Sequence, residues 1–197
     1  MATTLADLTR FMDESDLKYE VHEEHSVIAV GFSCSPDDTT YRDDSGDPTI
    51  GVIIRLSEDG EFVATCAPGA WSLKDSAHIP AVCEVAARIQ SRMKLIRFDL
   101  DNDGYLHPNV EIPLESAPMC ATQLQRAVTG ILVVVKRFDA VIRHARDTGV
   151  VNFDLETVEQ DESTASIARI LELADDAGSI DAIERLLGGE GSLSADS

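Results

Sequence analysis

The order in which two hydrophobic periodicities follow one another constrains this chain most. Apolar residues recur every three or four positions in three stretches, which predicts helices near residues 5–12, 76–93 and 118–148. Between them, apolar runs bounded by turn residues predict six strands. The order is α-β-β-β-β-α-β-β-α. Because the strands come in pairs joined by short turns, the sequence predicts a two-layer α+β fold, an antiparallel sheet with helices on one side.

Turn residues and prolines predict where the elements begin and end. Asp59-Gly60, between two β-branched runs, predicts a hairpin. Pro80 lies early in the second helix, Pro118 opens the third and Gly149 ends it. Strands are predicted at residues 17–21, 27–32, 50–56, 61–67, 96–100 and 105–114, of which 27–32 is the most fully buried. The apolar stripe of the second helix, including one core cysteine, is predicted to be Ile79, Val82, Cys83, Ala86, Ile89 and Met93.

Composition divides the chain near residue 150. Residues 1–150 hold 24 acids and 14 bases, and residues 151–197 hold 12 acids and 2 bases, so each part carries −10 of the net charge of −20. We therefore expect one folded domain followed by an acidic extension. The expected parts are an α+β domain at 3–150, an acidic linker at 151–162, a helical extension at 163–187 and a disordered tail at 188–197.

The charge bears on partners and on location. An acidic chain repels phosphate backbones and anionic membranes, so we expect neither as a partner, whereas a basic protein or peptide would be attracted. The alternative is that the acidity serves only solubility. The longest apolar run, Ile131 to Val135, is too short to cross a bilayer. The first residues lack a signal-peptide pattern and the four cysteines are scattered, so we expect a cytoplasmic protein with reduced thiols and no cofactor.

Several hydrophobic and turn patterns resemble one protein family. They are the opening stretch Leu8 to Tyr19, the hairpin Gly51 to Gly60, the segment Phe98 to Tyr105, the strand Ile112 to Leu114 and the helix from Gln123. Through them, residues 5–148 resemble the YbjN-like proteins, whose fold is that of type III secretion chaperones. The aspartate-rich stretch 35–48 is longer than the family pattern needs. The resemblance implies a small, often dimeric bacterial protein, described as a sensory-transduction regulator, without established enzymatic activity or functional residues to carry over.

A metal site is one reading of the turn between the last two predicted strands. Asp99, Asp101 and Asp103, followed by Gly104, match the first half of a calcium-binding loop, in which carboxylates alternate. The closing glutamate of such a loop should stand at position 110, which is Val110. The sequence therefore favours a plain hairpin turn over a metal site.

Two further features are candidates for binding a partner. Arg88, Arg92 and Arg97 belong to a local basic cluster that could pair with a partner's carboxylates, although a solvated helix face explains them as well. Trp71 follows a Pro-Gly break where the chain leaves the sheet, and it could be a ligand platform or an aromatic that caps the core.

No catalytic motif accompanies these features, since neither a nucleophile elbow nor a phosphate loop is present. Two function classes follow. The first is a non-enzymatic protein- or peptide-binding module, chaperone-like or regulatory in bacterial signalling, which uses grooves and strand edges of its sheet. The second is a small-molecule binder or enzyme with a site near loop 33–48 and Trp71.

The third helix also predicts self-association. Ile131, Val133, Val134 and Val135 place apolar side chains all around this helix, whereas a helix packed only on its own sheet needs one apolar stripe. Val133 and Val134 therefore need a second cover, either the 163–187 helices or a second copy. We expect a homodimer.

Overall fold

The first helix is set by the residues at its own N-terminus. In the computed structural model, which describes residues 2–34, 48–114 and 117–157, α1 spans Leu5–Glu14. The Thr4 hydroxyl accepts the N–H of Asp7, and the Asp7 carboxylate accepts the N–H of Thr4 at 3.0 Å. This capping box satisfies two donors that the helix leaves free. Leu8 and Met12 are buried on the inner face of α1, as its predicted stripe requires.

The second helix, α2, spans Ile79–Arg92, and its predicted stripe is confirmed at Val82, Ala86 and Ile89 but not at Ile79, which is exposed. Val82, Val85, Ala86 and Ile89 are its buried residues. Cys83 is exposed, so its prediction as a core residue is wrong. Each residue turns a helix by about 100°, which carries Cys83 from the line through Val82 and Ala86 to the solvent side, next to Glu84.

The third helix, α3, spans Ala121–Thr148 and begins later than predicted. Cys120, rather than Pro118, is the residue before its first turn, and the Cys120 N–H bonds to the side-chain oxygen of Gln123 at 2.9 Å. Gly149 ends the helix as predicted, with a left-handed φ of +74°. No helix among the described residues has the length and apolar character needed to cross a bilayer.

All six predicted strands are present, together with one strand that was not predicted. The strands are β1 Tyr19–His22, β2 Val27–Ser33, β3 Thr49–Ser57, β4 Phe62–Cys66, β5 Trp71–Ser72, β6 Arg97–Leu100 and β7 Tyr105–Pro113. The unpredicted one, β5, has two residues and follows the Pro68-Gly69 break, so it carries no periodicity that a sequence could show. Short 3₁₀ turns lie at Glu23–His25, Glu58–Gly60 and Phe153–Leu155.

The hairpin predicted at Asp59-Gly60 is confirmed and is tied to the N-terminus. Gly60 has a φ of +90°, and a Cβ built there would lie 2.1 Å from the carbonyl oxygen of Thr3. The Thr3 N–H in turn donates to the Gly60 carbonyl at 2.9 Å. Only glycine allows the N-terminal residues to lie this close to the turn.

The sheet has seven antiparallel strands, which run β1-β2-β3-β4-β7 from the first edge. Asn109 of β7 pairs with Cys66 of β4 and with Arg97 of β6, so β4 and β6 lie on opposite sides of β7. Leu106 of β7 pairs with Trp71 of β5 and with Leu100 of β6. The short strand β5 therefore lies on the same side of β7 as β4. The edge strands are β1 and β6.

One face of the sheet carries the helices and the main core. Apolar residues of all three helices form a single buried cluster with alternate residues of the strands. The largest fully buried side chains are Phe32, Phe138, Leu8, Met12, Ile28, Ile50, Ile54, Leu73, Ile89, Ile131, Leu132 and Ile142. The predicted α+β class, with an antiparallel sheet and helices in a second layer, is confirmed.

The folded region extends past the predicted boundary at residue 150. Val151 and Phe153 pack against the main core, and the ring of Phe153 meets that of Phe138 edge-on at 6.4 Å. The Thr157 N–H donates to the carbonyl of Arg137 on α3 at 3.0 Å. Residues 151–157 of the predicted linker are therefore part of the packed domain.

Several predictions fall outside the described residues. These are the linker from 158 to 162, the helical extension 163–187, the tail 188–197 and most of the 33–48 loop, of which residues 35–47 are not described.

Candidate functional site

The second face of the sheet, turned away from the helices, is the candidate site. Residues paired across antiparallel strands share a face, so the register Glu20–Ala29–Ile53–Cys66 runs across four strands on this side. We name it the open face. Its side chains include Glu20, His22, Val27, Ala29, Ile53, Arg55, Ala64, Cys66, Arg97, Asp99, His107, Asn109 and Glu111.

The centre of the open face is apolar and buried. Val27 and Ala29 have none of their surface exposed, and Ile53 has 4%. Among the described residues, the one further apolar side chain packed against this small cluster is Cys66. Burial raises the pKa of the Cys66 thiol to about 11. The thiol is therefore protonated at neutral pH.

The β6–β7 end of the open face is charged. The Arg97 guanidinium bonds to a carboxylate oxygen of Glu111 at 2.7 Å and to one of Asp99 at 3.0 Å. Asn109 donates to the same Asp99 oxygen at 2.9 Å. The hydrogen bond that Arg97 donates to Asp99 and the negative charges of Asp99 and Glu111 raise the pKa of Arg97. Two carboxylates of the same chain therefore hold the Arg97 guanidinium, which was predicted as a partner-binding candidate.

Among the residues that the structure describes, three polar atoms on the open face are buried without a hydrogen-bond partner. They are Oε2 of Glu20, Nε2 of His22 and Oδ1 of Asn109. A fourth such atom, Oγ1 of Thr65, lies on the helix side. Buried polar atoms are nearly always paired in folded proteins. Three exceptions on one face distinguish that face from the rest of the described molecule.

The two edge strands differ in how they are protected. At β6, the backbone N–H of Phe98 donates to the side-chain oxygen of Gln90 on α2 at 3.1 Å, which occupies part of that edge. At β1, Tyr19–His22 pair only with β2, and no other backbone hydrogen bond involves them in the described part of the chain. An edge strand with unpaired N–H and C=O groups is a template for adding another strand.

The segment that matches half of a calcium loop forms a hairpin turn between β6 and β7, as the sequence favoured. One oxygen of Asp101 accepts the Tyr105 N–H at 2.7 Å, and the other lies 2.9 Å from Nε2 of His107. Burial would raise the pKa of Asp101, but the contacts with Tyr105 and His107 outweigh it and lower the pKa. Asp99 points to the open face, toward Arg97 and Asn109. Within residues 2–34, 48–114 and 117–157, no three metal-binding side chains cluster, Asp103 included.

Trp71 is a core residue. Its side chain is 2% exposed, and its indole N–H donates to a carboxylate oxygen of Asp139 on α3 at 2.9 Å. Arg143 lies 3.9 Å from the other oxygen of Asp139. This contact joins the sheet to α3, and it leaves the indole inaccessible to a ligand.

One cavity lies beside Ser72, the residue that follows Trp71. It has a volume of about 520 Å³ between Ser72, the segment 75–78 and the end of α3 at Arg146 and Asp147. Trp71 does not line it. The small-molecule site predicted near loop 33–48 and Trp71 falls largely outside the described residues, since residues 35–47 are not described.

The three arginines predicted as a basic cluster are separated by the fold. Arg88 pairs with Glu84 on its own helix, and Arg97 lies on the open face. Arg92 binds Glu156 at 2.8 Å and stacks on Phe153. Although these three arginines are close in sequence, each of them pairs with a glutamate in a different part of the fold.

The residues predicted to form an interface lie mostly in the core. Ile131, Val134 and Val135 belong to the main buried cluster, and Val134 has no exposed surface. Val133 is half-buried. Because α3 contacts the sheet, α1, α2 and the turn Phe153–Leu155, apolar residues on several of its sides are covered within one chain.

Comparison with known proteins gives similarity in fold. No family model matches the chain, and no curated protein matches it. Similar solved structures include a chain of the HopA1–SchA chaperone–effector complex, with 14% identity and a TM-score of 0.43 over 66% of this chain and 88% of that one. YbjN from E. coli has 11% identity and a TM-score of 0.46 over 71% of this chain and 94% of its own. A chain of the ExsC–ExsE complex has 12% identity and a TM-score of 0.48 over 72% and 97%.

YbjN is also the family that the sequence patterns resemble. Similarities of this size concern the path of the backbone, and they assign no residue of this chain to a function.

Proposed function

We propose that the chain is a non-enzymatic protein-binding module of the cytoplasm that binds an extended polypeptide segment at the β1 edge and the adjoining open face. One observation carries the proposal: among the described residues, β1 pairs with β2 alone. It carries Glu20 and His22, whose buried side-chain atoms lack a partner in that part of the chain, and it lies next to the apolar centre at Val27 and Ala29. A backbone template, polar anchors and apolar surface meet at one place.

The chemistry of strand addition fits these parts. A segment that adds beside β1 would pair its N–H and C=O groups with the outer groups of Tyr19–His22, which supplies affinity without regard to sequence. Every second side chain of the segment would lie on the open face, because side chains alternate along a strand. Its donors could reach Glu20 and His22 there. Selection among segments would come from these contacts.

Charge favours a basic segment. The net charge of −20 attracts cationic partners over distance, and Glu20 on β1 would receive a cationic side chain locally. A chaperone-like or regulatory role in bacterial signalling is the biological context that we propose for such binding.

Site-specific photocrosslinking in the native host tests the function. A photoreactive phenylalanine analogue at Glu20 should capture a polypeptide that mass spectrometry identifies. The control is the same analogue at Ala140, which is exposed on α3. Capture of the same proteins in equal yield from both positions, or capture from neither, would contradict the proposal.

The homodimer stays a prediction that concerns another surface. Val133 is the half-buried member of the predicted interface, so it is the residue to test. Sedimentation should show a dimer for the wild type and a monomer for Val133→Glu. The substitution Val134→Glu would report on folding instead, because Val134 is fully buried within its own chain.

A further inference from the structure

The ladder between β2 and β3 determines which way each backbone group of β2 points. At one end of β2, the N–H of Leu56 donates to the carbonyl of Ser26 at 2.9 Å, and at the other end the N–H of Cys34 donates to the carbonyl of Pro48 at 2.7 Å. The register between these two bonds is continuous. Because backbone groups of successive residues alternate between the two sides of a strand, the even-numbered residues of β2 bond to β3 and the odd-numbered ones bond to β1.

The outward groups of β1 follow from its own register. The odd-numbered residues of β2 pair with His22 and Glu20, so the N–H and C=O groups of these two residues point to β2. The N–H and C=O groups of Tyr19 and Val21 therefore point away from the sheet. An added strand would bond to these four groups.

The two residues with outward backbone groups carry apolar side chains on the helix side. Tyr19 and Val21 pack against the main core and are half-buried, so part of each side chain is open at the edge. The Tyr19 hydroxyl donates to a carboxylate oxygen of Asp13 near the end of α1 at 2.8 Å, which fixes the ring there. Residues paired across two strands share a face. An apolar partner residue paired with Tyr19 or Val21 would bury the open parts of these side chains.

The residue between them presents an acid on the other face. Glu20 lies on the open face, and its Oε2 has no hydrogen-bond partner within the described part of the chain. A partner residue across from Glu20 would form a non-hydrogen-bonded pair, in which the Cα atoms approach to about 4.5 Å. Opposite charges in such pairs stabilise a sheet and like charges destabilise it. Lysine or arginine therefore fits this position.

We propose that the occupant of the β1 edge is an antiparallel strand with a basic residue between two apolar residues. The basic residue stands across from Glu20, and the apolar residues pair with Tyr19 and Val21. The inference rests on the proposed function and names the chemistry of its partner. The antiparallel direction continues the sheet, in which every described pair is antiparallel, and antiparallel pairs are the more stable per residue.

Peptide binding to the full-length chain tests the pattern. The probe is the peptide Val-Lys-Val-Lys-Val-Lys-Val, and the amide signals of Tyr19 and Val21 in NMR spectra report its binding. The control, Val-Lys-Lys-Val-Val-Lys-Val, has the same composition and charge but no strict alternation. We expect the control to bind at least about threefold more weakly, because it cannot keep its apolar residues on one face. Equal affinities would overturn the proposal.

A pair of charge variants tests the position of the basic residue. Glu20→Gln should weaken binding of the alternating peptide at least about threefold, because it removes the charge across from lysine. Glu24→Gln removes the same charge from an exposed turn residue beside β1, and binding should stay within about twofold of wild type. An equal effect of the two substitutions would show that only net charge matters, and it would overturn the proposal.

N-methylated peptides test the direction of the strand on the unaltered protein. In the proposed antiparallel pairing, the valine N–H groups of the peptide point to β1 and the lysine N–H groups point away. Methylation of the second and third valine nitrogens should weaken binding at least about tenfold, whereas methylation of the first two lysine nitrogens should change it less than about twofold. The reverse order would overturn the proposal.

A backbone variant tests whether the edge itself is the binding site. Val21→Pro removes an outward N–H and leaves the bonds to β2, and proline is tolerated on an edge strand at such a position. We expect it to weaken peptide binding at least about tenfold, whereas Val21→Ile, which keeps the N–H, should bind within about twofold of wild type. A wild-type dimer that becomes a monomer in Val21→Pro would show that a second copy occupies this edge, and it would overturn the proposal.

The proposed function and the inference can fail separately. If the alternating peptide binds at Tyr19 and Val21 in the expected order of affinities, but no polypeptide is captured at Glu20 in the host, the proposed function alone is contradicted. If a polypeptide is captured at Glu20, but the alternating peptide binds no better than its control, the inference alone is contradicted.

Discussion

The two faces of the sheet are buried in different ways. On the helix side, Ile54 packs into a cluster that three helices and the strands share, and nearly every polar group there is paired. On the open face, the next residue, Ile53, is nearly as buried, but its described apolar neighbours are few, and three polar atoms around it lack partners. Ile54 and Ile53 are therefore buried to nearly the same extent in very different surroundings.

The largest expected effect compares the two adjacent isoleucines. Ile54→Ala should lower the free energy of unfolding by about 2–5 kcal/mol, because it removes buried methyl groups and leaves a cavity in the main core. Ile53→Ala should cost less than half as much, since Ile53 belongs to a cluster of only a few described apolar side chains. Chemical denaturation of both variants measures this. Equal losses would show that the open face is packed as permanently as the core.

A smaller effect is expected for the polar contact on the helix side. Trp71→Phe keeps the apolar ring but removes the N–H that Asp139 accepts at 2.9 Å. We expect a loss of about 1–3 kcal/mol, the usual range for disturbing a buried polar pair. Thermal unfolding measures it, with Ser72→Ala, at an exposed neighbour, as the control. A Trp71→Phe variant as stable as the control would mean that the hydrogen bond does not contribute.

Glu156 forms ion pairs with Arg92 of α2 and Arg137 of α3, and the stabilisation from these pairs should depend on pH. Burial alone would raise the pKa of Glu156, but hydrogen bonds from Arg92 and Arg137 outweigh it and lower the pKa below the ordinary 4.5. The folded chain thus favours the charged form, so the stabilisation is present above the unfolded-state pKa and is lost as pH falls through the folded-state pKa.

Glu156→Gln should therefore cost about 1–2 kcal/mol at neutral pH, and the difference from wild type should shrink as the pH drops below about 4. The control is Glu84→Gln, which disturbs only an exposed pair within α2. A difference that persists unchanged at acid pH would show that shape, rather than charge, makes residue 156 important.

The smallest effect is expected on the open face. Arg97 is about half-exposed, so its ion pairs with Glu111 and Asp99 are screened by solvent. Arg97→Ala should cost less than about 1 kcal/mol, and the cost should fall with added salt. Denaturation at two salt concentrations measures it. A loss as large as that of Trp71→Phe would mean that the polar end of the open face is structural.

Much of the fold could be predicted because its signals are local. Asp59-Gly60 and Gly104 mark turns that need a left-handed backbone, and the stripe of α3 needs only its own periodicity. The continuous apolar run of β2 even indicated burial on both faces, which the structure shows at Val27 and Ala29.

Other features could not be predicted because they depend on distant neighbours. Cys83 lies beside the buried stripe of α2 by a single helical step, and β5 is too short for any period. Val134 looked uncovered only because the contacts of α2 and Phe153 with α3 are invisible in the sequence.

The sequence by itself determined the elements, their order and the α+β class, since periodicity and turn chemistry act within a few residues of one another. Only the tertiary structure decided the candidate site. Strand register brings Glu20, Ala29, Ile53 and Cys66 onto one face from four separate strands. A shift of one residue in any strand would send its side chain to the other face. That register follows from packing of the whole sheet against its helices, which no local pattern contains.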